Sequence, residues 1–350
     1  MDVKSPQEDR SYSKQEEEKS LTNPINPKMG NHEDDLSSAT STSRKRKRNR
    51  VPPRRGMRRS SRTAPTSERS NDAILDLSQI LKQQKNVVFI TGAGLSVASG
   101  IPPFRGASDA VWEQSLHEWG TREKFEENPL LWYNTFWLKH FDEGKAHLYK
   151  PNAGHEALAK ICKAYNATAK VITQNIDGLH RHSTGKIEDD QLIEIHGFHG
   201  AFKCYTDDCP YSTSKLFYGS LEVKRNKGHS KVTSAQNIPH CPECKAVMCP
   251  NCLLFDEDYD DHESYQFERA QEWLKQANAI VFVGTSFAVH LTNVAFEFAR
   301  NNKPAAGIFN INVIDNLPAT KAFKLQTSQI IGKAEQILPQ ISLGALPGGP

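Results

Sequence analysis

Apolar residues in this chain gather into short dense runs separated by longer polar stretches. Val87–Thr91 (VVFIT) is one such run, continuous and partly β-branched, as expected of a strand buried on both faces. Comparable runs recur at Lys170–Asn175 (KVITQN), Leu192–Gly197 (LIEIHG), Ile280–Ser286 (IVFVGTS) and Gly307–Asn312 (GIFNIN). Between several of them the apolar period changes to that of a helix. Ile74, Leu77 and Leu81 share one face, as do Phe267, Ala270 and Leu274, and Val294 with Phe298. Asn71 or Asp72 suits the N-cap of the first of these helices. The alternation predicts an α/β fold, a parallel sheet with helices on both sides.

Two segments interrupt the alternation. Ala107–Tyr149 is rich in Trp and Phe and predicts a helical module at about 107–150. Gly197–Asn251 carries most of the cysteines and predicts a second small module at about 198–250. Met1–Ser70 differs in kind. Ser, Glu, Asn, Pro and Arg dominate it, and it buries too little apolar area to offset the entropy of ordering, so it reads as a disordered tail. The expected organisation is a tail over 1–70 and a folded domain over 71–345, with the terminal residues GALPGGP frayed.

Charge follows the same boundary. The chain of 350 residues carries a net +3, which divides into +7 over the first 70 residues and −4 over the rest. The mean hydropathy of −0.62 is likewise an average over a polar tail and an ordinary globule. By charge alone the folded part is no nucleic-acid surface. The tail contains SRKRKRNRVPPRRGMRRSSR, from Ser43 to Arg62. Contiguous basic residues at 44–62 read first as a nuclear import signal, which assigns the protein to the nucleus with the cytoplasm as a second compartment. A salt-sensitive contact of this tail with nucleic acid is the other reading. No run is apolar enough to span a bilayer, and MDVKSPQEDR at the N-terminus lacks the apolar core of a secretory signal, so no membrane partner is expected.

Candidate chemistry lies where strands end, as in open α/β sheets generally. Thr91-Gly92-Ala93-Gly94 must turn sharply, and its glycines let a phosphate approach the backbone N–H groups at a helix start. A hydride-transferring dinucleotide enzyme sets its third glycine where Val97 stands here. Instead Gly100-Ile-Pro-Pro-Phe-Arg follows, a stiffened path presenting Phe104 beside Arg105, as a mobile cover over a reactive ligand would. Gln174, Asn175 and Asp177 end the second strand with two amides and a carboxylate, more than capping needs. Glu194 and His196 fall on one face at the end of the third, and His196 is a candidate base because imidazole titrates near neutrality. Gly284-Thr285-Ser286 forms a small phosphate-type cradle at the end of a fourth.

Six of the seven cysteines lie between Cys204 and Cys252. That clustering indicates a metal site before disulfides. Cys241 and Cys244 form a good zinc knuckle. Its partner is either Cys204 with Cys209 or Cys249 with Cys252. The longer connection gives a ribbon room to fold back, so Cys204, Cys209, Cys241 and Cys244 are the expected zinc ligands. Cys162 sits in an apolar helical pattern and is expected in the core.

In order and spacing, GAGLSVASGIPPFRG, TQNIDGLH, IHG, the paired cysteines, GTS and an Asn-bearing strand resemble the sirtuins, and PNAGHEAL (Pro151–Leu158) is similar to that family too. The resemblance spans roughly residues 74–338. It implies a Rossmann-like large domain, a small zinc module, and NAD consumed as a co-substrate in removing an acyl group, acetyl foremost, from protein lysine. Nicotinamide and O-acyl-ADP-ribose are the implied products. Phe104 and Arg105 match the loop that covers the nicotinamide ribose. His196 matches the general base, with Asn175 and Asp177 beside it as catalytic residues. Gln174, Asn175 and Asp177 match the lining of the nicotinamide-ribose pocket, and Gly92, Ala93 and Gly94 its cofactor-binding turn. Gly284, Thr285 and Ser286 match a phosphate and ribose contact, Asn312 the adenosine-ribose contact and Ala334 a late backbone contact. The expected partner is an acyl-lysine protein, with histones suggested by the basic tail. Transfer of ADP-ribose to protein and a non-catalytic NAD-sensing scaffold are the alternatives.

The chain departs from the family pattern at several points. Pro103 stands where Asp is usual, and Cys204 and Cys209 have four residues between them where two are usual. CPNCLLFDE (Cys249–Glu257) resembles the substrate-pairing segment, to which an extended acyl peptide adds as a strand. It carries Cys249 and Cys252 at usually non-cysteine positions, which favours reading them as non-ligands. Asp256 stands where glycine is common, so the family's usual peptide-sequence tolerance does not carry over from the resemblance at this position.

Overall fold

The structure, a computed structural model, describes residues 66–102, 116–141, 148–226, 229–302, 305–322 and 324–346. The tail to residue 65, with its basic cluster, and the covering residues Pro103, Phe104 and Arg105 lie outside the described residues.

Strands β1 (Val87–Thr91), β2 (Ala169–Thr173), β3 (Leu192–Glu194), β4 (Gly197–Lys203), β5 (Lys224–Asn226), β6 (His229–Lys231), β7 (Cys249–Cys252), β8 (Ala279–Val283), β9 (Gly307–Asn312) and β10 (Thr327–Ile331) are described. Six of them form one parallel sheet in the order β10-β9-β8-β1-β2-β3. Val87 pairs in register with Ala169 on one side and Ala279 on the other. This is the doubly wound Rossmann order, whose direction reverses between β1 and β8.

Five main helices cover the sheet: α1 (Thr66–Lys82), α2 (Ala153–Ala164), α3 (Phe267–Gln276), α4 (His290–Asn301) and α5 (Ala334–Ala345). Successive strand residues point to opposite faces, so each continuous apolar run feeds two cores. Val87, Phe89, Val171 and Val281 pack against Leu77 and Leu81 of α1, Leu158 and Ile161 of α2, and Leu338 and Ile341 of α5. Val88, Ile90, Ile172 and Phe282 pack against Ala270 and Leu274 of α3 and Leu291 and Phe296 of α4. At about 1.5–3 kcal/mol per fully buried large apolar side chain, these layers fix where the strand ends lie.

The two insertions share one core. Over 116–141 the chain makes short helices at Arg122–Glu127 and Pro129–Trp132, then a π-helical turn at Tyr133–Trp137. The first two are capped by Thr121, which accepts from the Lys124 N–H, and Asn128, which accepts from the Leu131 N–H. Trp132, Tyr133 and Trp137 are buried against Val232, Ile238, Cys249, Cys252 and Leu254 of the cysteine-bearing module. In that module β4 runs antiparallel to β7, with Gly197 opposite Cys252 and Lys203 opposite Cys249. β5 and β6 make an outlying hairpin.

Several sequence expectations change in detail. α1 begins at Thr66, so Asn71 and Asp72 lie inside the helix and do not cap it. β3 stops at Glu194, one residue before Ile195, so the expected shared strand face of Glu194 and His196 does not form. Glu194 meets Arg181 at 2.8 Å, while His196 turns elsewhere. β10 (TSQII) carries too much polar surface to stand out as a strand. Its place at the sheet edge explains that composition.

Candidate functional site

The reversal between β1 and β8 opens at the carboxyl ends of those strands, where Gly92–Gly94 meets Gly284. The Gly94 N–H donates to the Gly284 carbonyl at 2.9 Å, and the Gly92 N–H to that of Val283 at 2.9 Å. A Cβ on Gly94 would lie 2.7 Å from the Gly284 Cα, and one on Gly92 2.9 Å from its carbonyl oxygen. The glycines are therefore required by backbone packing against backbone. The turn is followed by short 3₁₀ turns, at Ala93–Leu95 and Val97–Ser99, where a regular helix start was expected, and the Gly94 N–H is bonded within the protein.

The end of β2 reaches into the same place. Asn175 Nδ2 donates to the Gly92 carbonyl at 3.1 Å and to Ser96 Oγ at 3.2 Å. Ser96 Oγ in turn donates to Asp177 Oδ2 at 2.6 Å. The other oxygen of Asp177 accepts from the Leu179 N–H at 2.9 Å. The three polar residues do not act alike. Asn175 and Asp177 are linked through Ser96, whereas Gln174 Nε2 is buried with no protein partner. A buried amide without a protein partner at a strand end leaves its donors free for a ligand or a water.

His196 follows β3, and Gly197 after it is required by its positive φ of 81° and by Asn251, whose carbonyl oxygen would lie 2.1 Å from a Cβ. Nδ1 of the half-buried imidazole donates to the Gln174 carbonyl at 2.9 Å. Burial pulls its pKa down to about 4, with the carbonyl acting against that shift. The ring is therefore neutral near pH 7, the form a general base requires.

Across the reversal, Thr285 Oγ1 is likewise buried without a protein partner. The Thr285 carbonyl accepts from Asn312 Nδ2 and Asn316 Nδ2, each at 2.9 Å. Asn316 also accepts from the fully buried Asn310 at 2.9 Å. Ser286 is exposed beside this network, and Ala334 is buried as the first residue of α5. Asn316 was not singled out from sequence, although an Asn four residues after Asn312 beyond a strand end was there to be weighed.

The thiols of Cys204, Cys209, Cys241 and Cys244 all lie within 4.8 Å of one another. Cys204 and Cys244 stand 3.5 Å apart, as do Cys209 and Cys241. Four thiol sulfurs at this spacing fit a tetrahedral zinc ion. Cys249 and Cys252 are buried in the aromatic core instead, where burial pushes the Cys252 thiol up to about 12. Cys162 is buried in the main core.

The segment after β7 is tied down at several points. The Leu253 N–H donates to the His196 carbonyl at 3.0 Å, and the Phe255 N–H to that of Gly120 at 2.9 Å. Asp256 accepts the N–H groups of Arg122 at 2.7 Å and Glu123 at 3.1 Å, so its carboxylate caps the helix that starts there. Glu257 forms a buried pair with Lys203, at 2.6 and 2.7 Å, and Lys203 also meets the Tyr265 hydroxyl at 2.6 Å.

Comparison with known proteins gives concordant findings. The Sir2 family model matches residues 92–291. NAD-dependent deacetylase sir2E of Dictyostelium discoideum is 34% identical over 270 residues, covering 75% of this chain and 74% of the relative. An NAD-dependent protein deacylase of Pyrococcus furiosus is 30% identical over 269 residues, covering 76% and 95%. Among solved structures, a Sir2 enzyme aligns with a TM-score of 0.56 at 29% identity, over 79% of this chain and 98% of that one.

Proposed function

This chain belongs to the Sir2 family, and on that premise we propose that it removes acyl groups, acetyl foremost, from protein lysines with NAD as co-substrate. NAD supplies the glycosidic bond whose cleavage drives the removal. The observation that carries this reading is the His196 imidazole held by the Gln174 carbonyl at 2.9 Å, on the strand end that also bears the Asn175–Ser96–Asp177 chain and the unpartnered Gln174 amide. Gln174, Asn175 and Asp177 bind and orient the nicotinamide-ribose end. His196 takes a proton at Nε2 while the Gln174 carbonyl holds its Nδ1–H. Thr285, Ser286 and Asn312 receive the other half of the dinucleotide. The zinc ion fits the four thiols as a structural ion, since all four protein ligands leave no open position.

The Sir2-type segment after β7 supports an acyl-lysine peptide as the partner. The basic cluster supports the nucleus as its place of action and histone tails as its substrates. The deciding assay is mass spectrometry of a reaction with NAD and an acetyl-lysine peptide. Nicotinamide, free lysine and O-acetyl-ADP-ribose are expected, and His196→Ala should abolish them while leaving the fold intact. ADP-ribose retained on protein, or full turnover by the His196→Ala variant, refutes the proposal.

A further inference from the structure

The base has a second neighbour, 63 positions along the chain. Because Nδ1 of His196 donates to the Gln174 carbonyl, Nε2 carries the lone pair. The hydroxyl of Tyr259 stands 3.2 Å from that nitrogen. Burial pushes the Tyr259 phenol up to about 12, so it remains protonated and donates.

The contact is built into the fold. Tyr259 is 9% exposed. Its ring stacks on Phe267 with centroids 4.7 Å apart and planes 16° from parallel. The planes of His196 and Tyr259 are also 16° from parallel. The segment leading to Tyr259 is fastened to the His196 carbonyl by Leu253 and to β4 by the Lys203–Glu257 pair. His290 of α4 is the other titratable side chain described against Tyr259, its ring 6.4 Å away.

An imidazole nitrogen has a single lone pair. A hydroxyl that is to lose its proton to Nε2 must occupy that lone pair, and Tyr259 already does. We propose that Tyr259 is a positioning residue that masks the base: its hydroxyl holds the lone pair of His196 Nε2 in the free enzyme and yields it when a substrate hydroxyl arrives. The inference rests on the deacylase reading only for the identity of that incoming hydroxyl. In the free protein the mask keeps the imidazole correctly turned and unprotonated. On binding, one hydroxyl replaces another at the same nitrogen, so the base need not rotate.

Tyr259→Phe tests this, since it removes the hydroxyl and keeps the ring stacked on Phe267. The measurement is an NMR titration of ¹⁵N-histidine-labelled full-length protein, with His196 identified by the signal lost in His196→Gln. Losing a donor to the neutral ring favours protonation. His196 should therefore titrate higher in Tyr259→Phe, with a roughly three- to tenfold change in its protonation constant, the scale of one neutral hydrogen bond. The acid limb of kcat/KM for NAD, which reports the free enzyme, should move upward with it. In the unmodified protein, NAD should shift the Nε2 resonance as one hydroxyl displaces the other.

Identical titrations in the two proteins overturn the proposal. So does an unmoved acid limb with kcat reduced more than about a hundredfold, which would put the hydroxyl in the proton path. Should the variant not fold, an Nε2 resonance of the unmodified protein indifferent to NAD overturns it as well. The titration needs no turnover, so an inactive protein with a shifted titration would count against the deacylase reading and not against the mask.

Discussion

Replacing Lys203 with Met removes the cation that pairs directly with the buried Glu257 carboxylate. Lys203 is 1% exposed, and its ammonium touches both oxygens of Glu257 and the Tyr265 hydroxyl. The rings of Tyr205 and Tyr265 lie 5.0 and 5.3 Å from the same nitrogen. After the substitution Glu257 keeps the Leu254 N–H at 2.8 Å, and its charge stays buried. Stranding one partner of a buried pair costs about 3–5 kcal/mol. For a folded part of this size that corresponds to a fall in Tm of roughly 6–20 °C. Replacing both partners, Lys203→Met with Glu257→Leu, removes the uncompensated charge and should recover much of the loss. The assay is urea unfolding of the single and double variants with deacylation rates measured in parallel. A single variant within about 1 kcal/mol of the parent, or a double variant no more stable than the single, refutes the account of this pair.

Gly94→Ala sets a Cβ 2.7 Å from the Gly284 Cα, where no side chain can move aside; it should cost about 1–3 kcal/mol and raise the KM for NAD, both read from one purified variant. His155, His196, His140 and His262 are held down to about 4 by burial. The unfolded chain takes up these protons near pH 6.5, so stability is full above that value and falls as the pH drops towards 4. The slope for the fully buried His155 alone is roughly 1.4 kcal/mol per pH unit, and thermal melts from pH 7 to pH 4 measure it. Chelation of zinc should lower Tm and expose the tryptophan core shared with Cys249 and Cys252, with activity lost only as the fold is lost; a metal-free protein with unchanged Tm would count against a structural ion.

How much of this was legible in sequence depends on the range of each interaction. The strands β1, β2, β8 and β9 were readable because burial on both faces leaves a continuous apolar run. The cysteine set followed from connection lengths, and Cys204, Cys209, Cys241 and Cys244 do come together. The glycines at 92, 94 and 284 stand out locally for phosphate approach, and the close contact between their turns, almost 200 residues apart, is a further constraint that sequence does not show. Tyr259 and Lys203 carried no signal at all. A tyrosine amid acidic residues reads as surface, and a lysine in a strand reads as an exposed edge. Each takes its meaning from a partner that only the folded chain brings near. Asp256 marked an unusual position, but the helix it caps lies more than a hundred residues earlier.

The pairing of Gly197 with Cys252 brings the two ends of the cysteine-bearing module side by side at the rim of the sheet. Chain closed at its base in this way can lengthen or shorten at the far end with only a logarithmic entropic penalty. The root of this stalk is another matter. One side of it leaves His196 and the other delivers Leu253 back to the same residue. The outer hairpin is thus free to change length, while a single-residue slip at the root would reposition His196 itself.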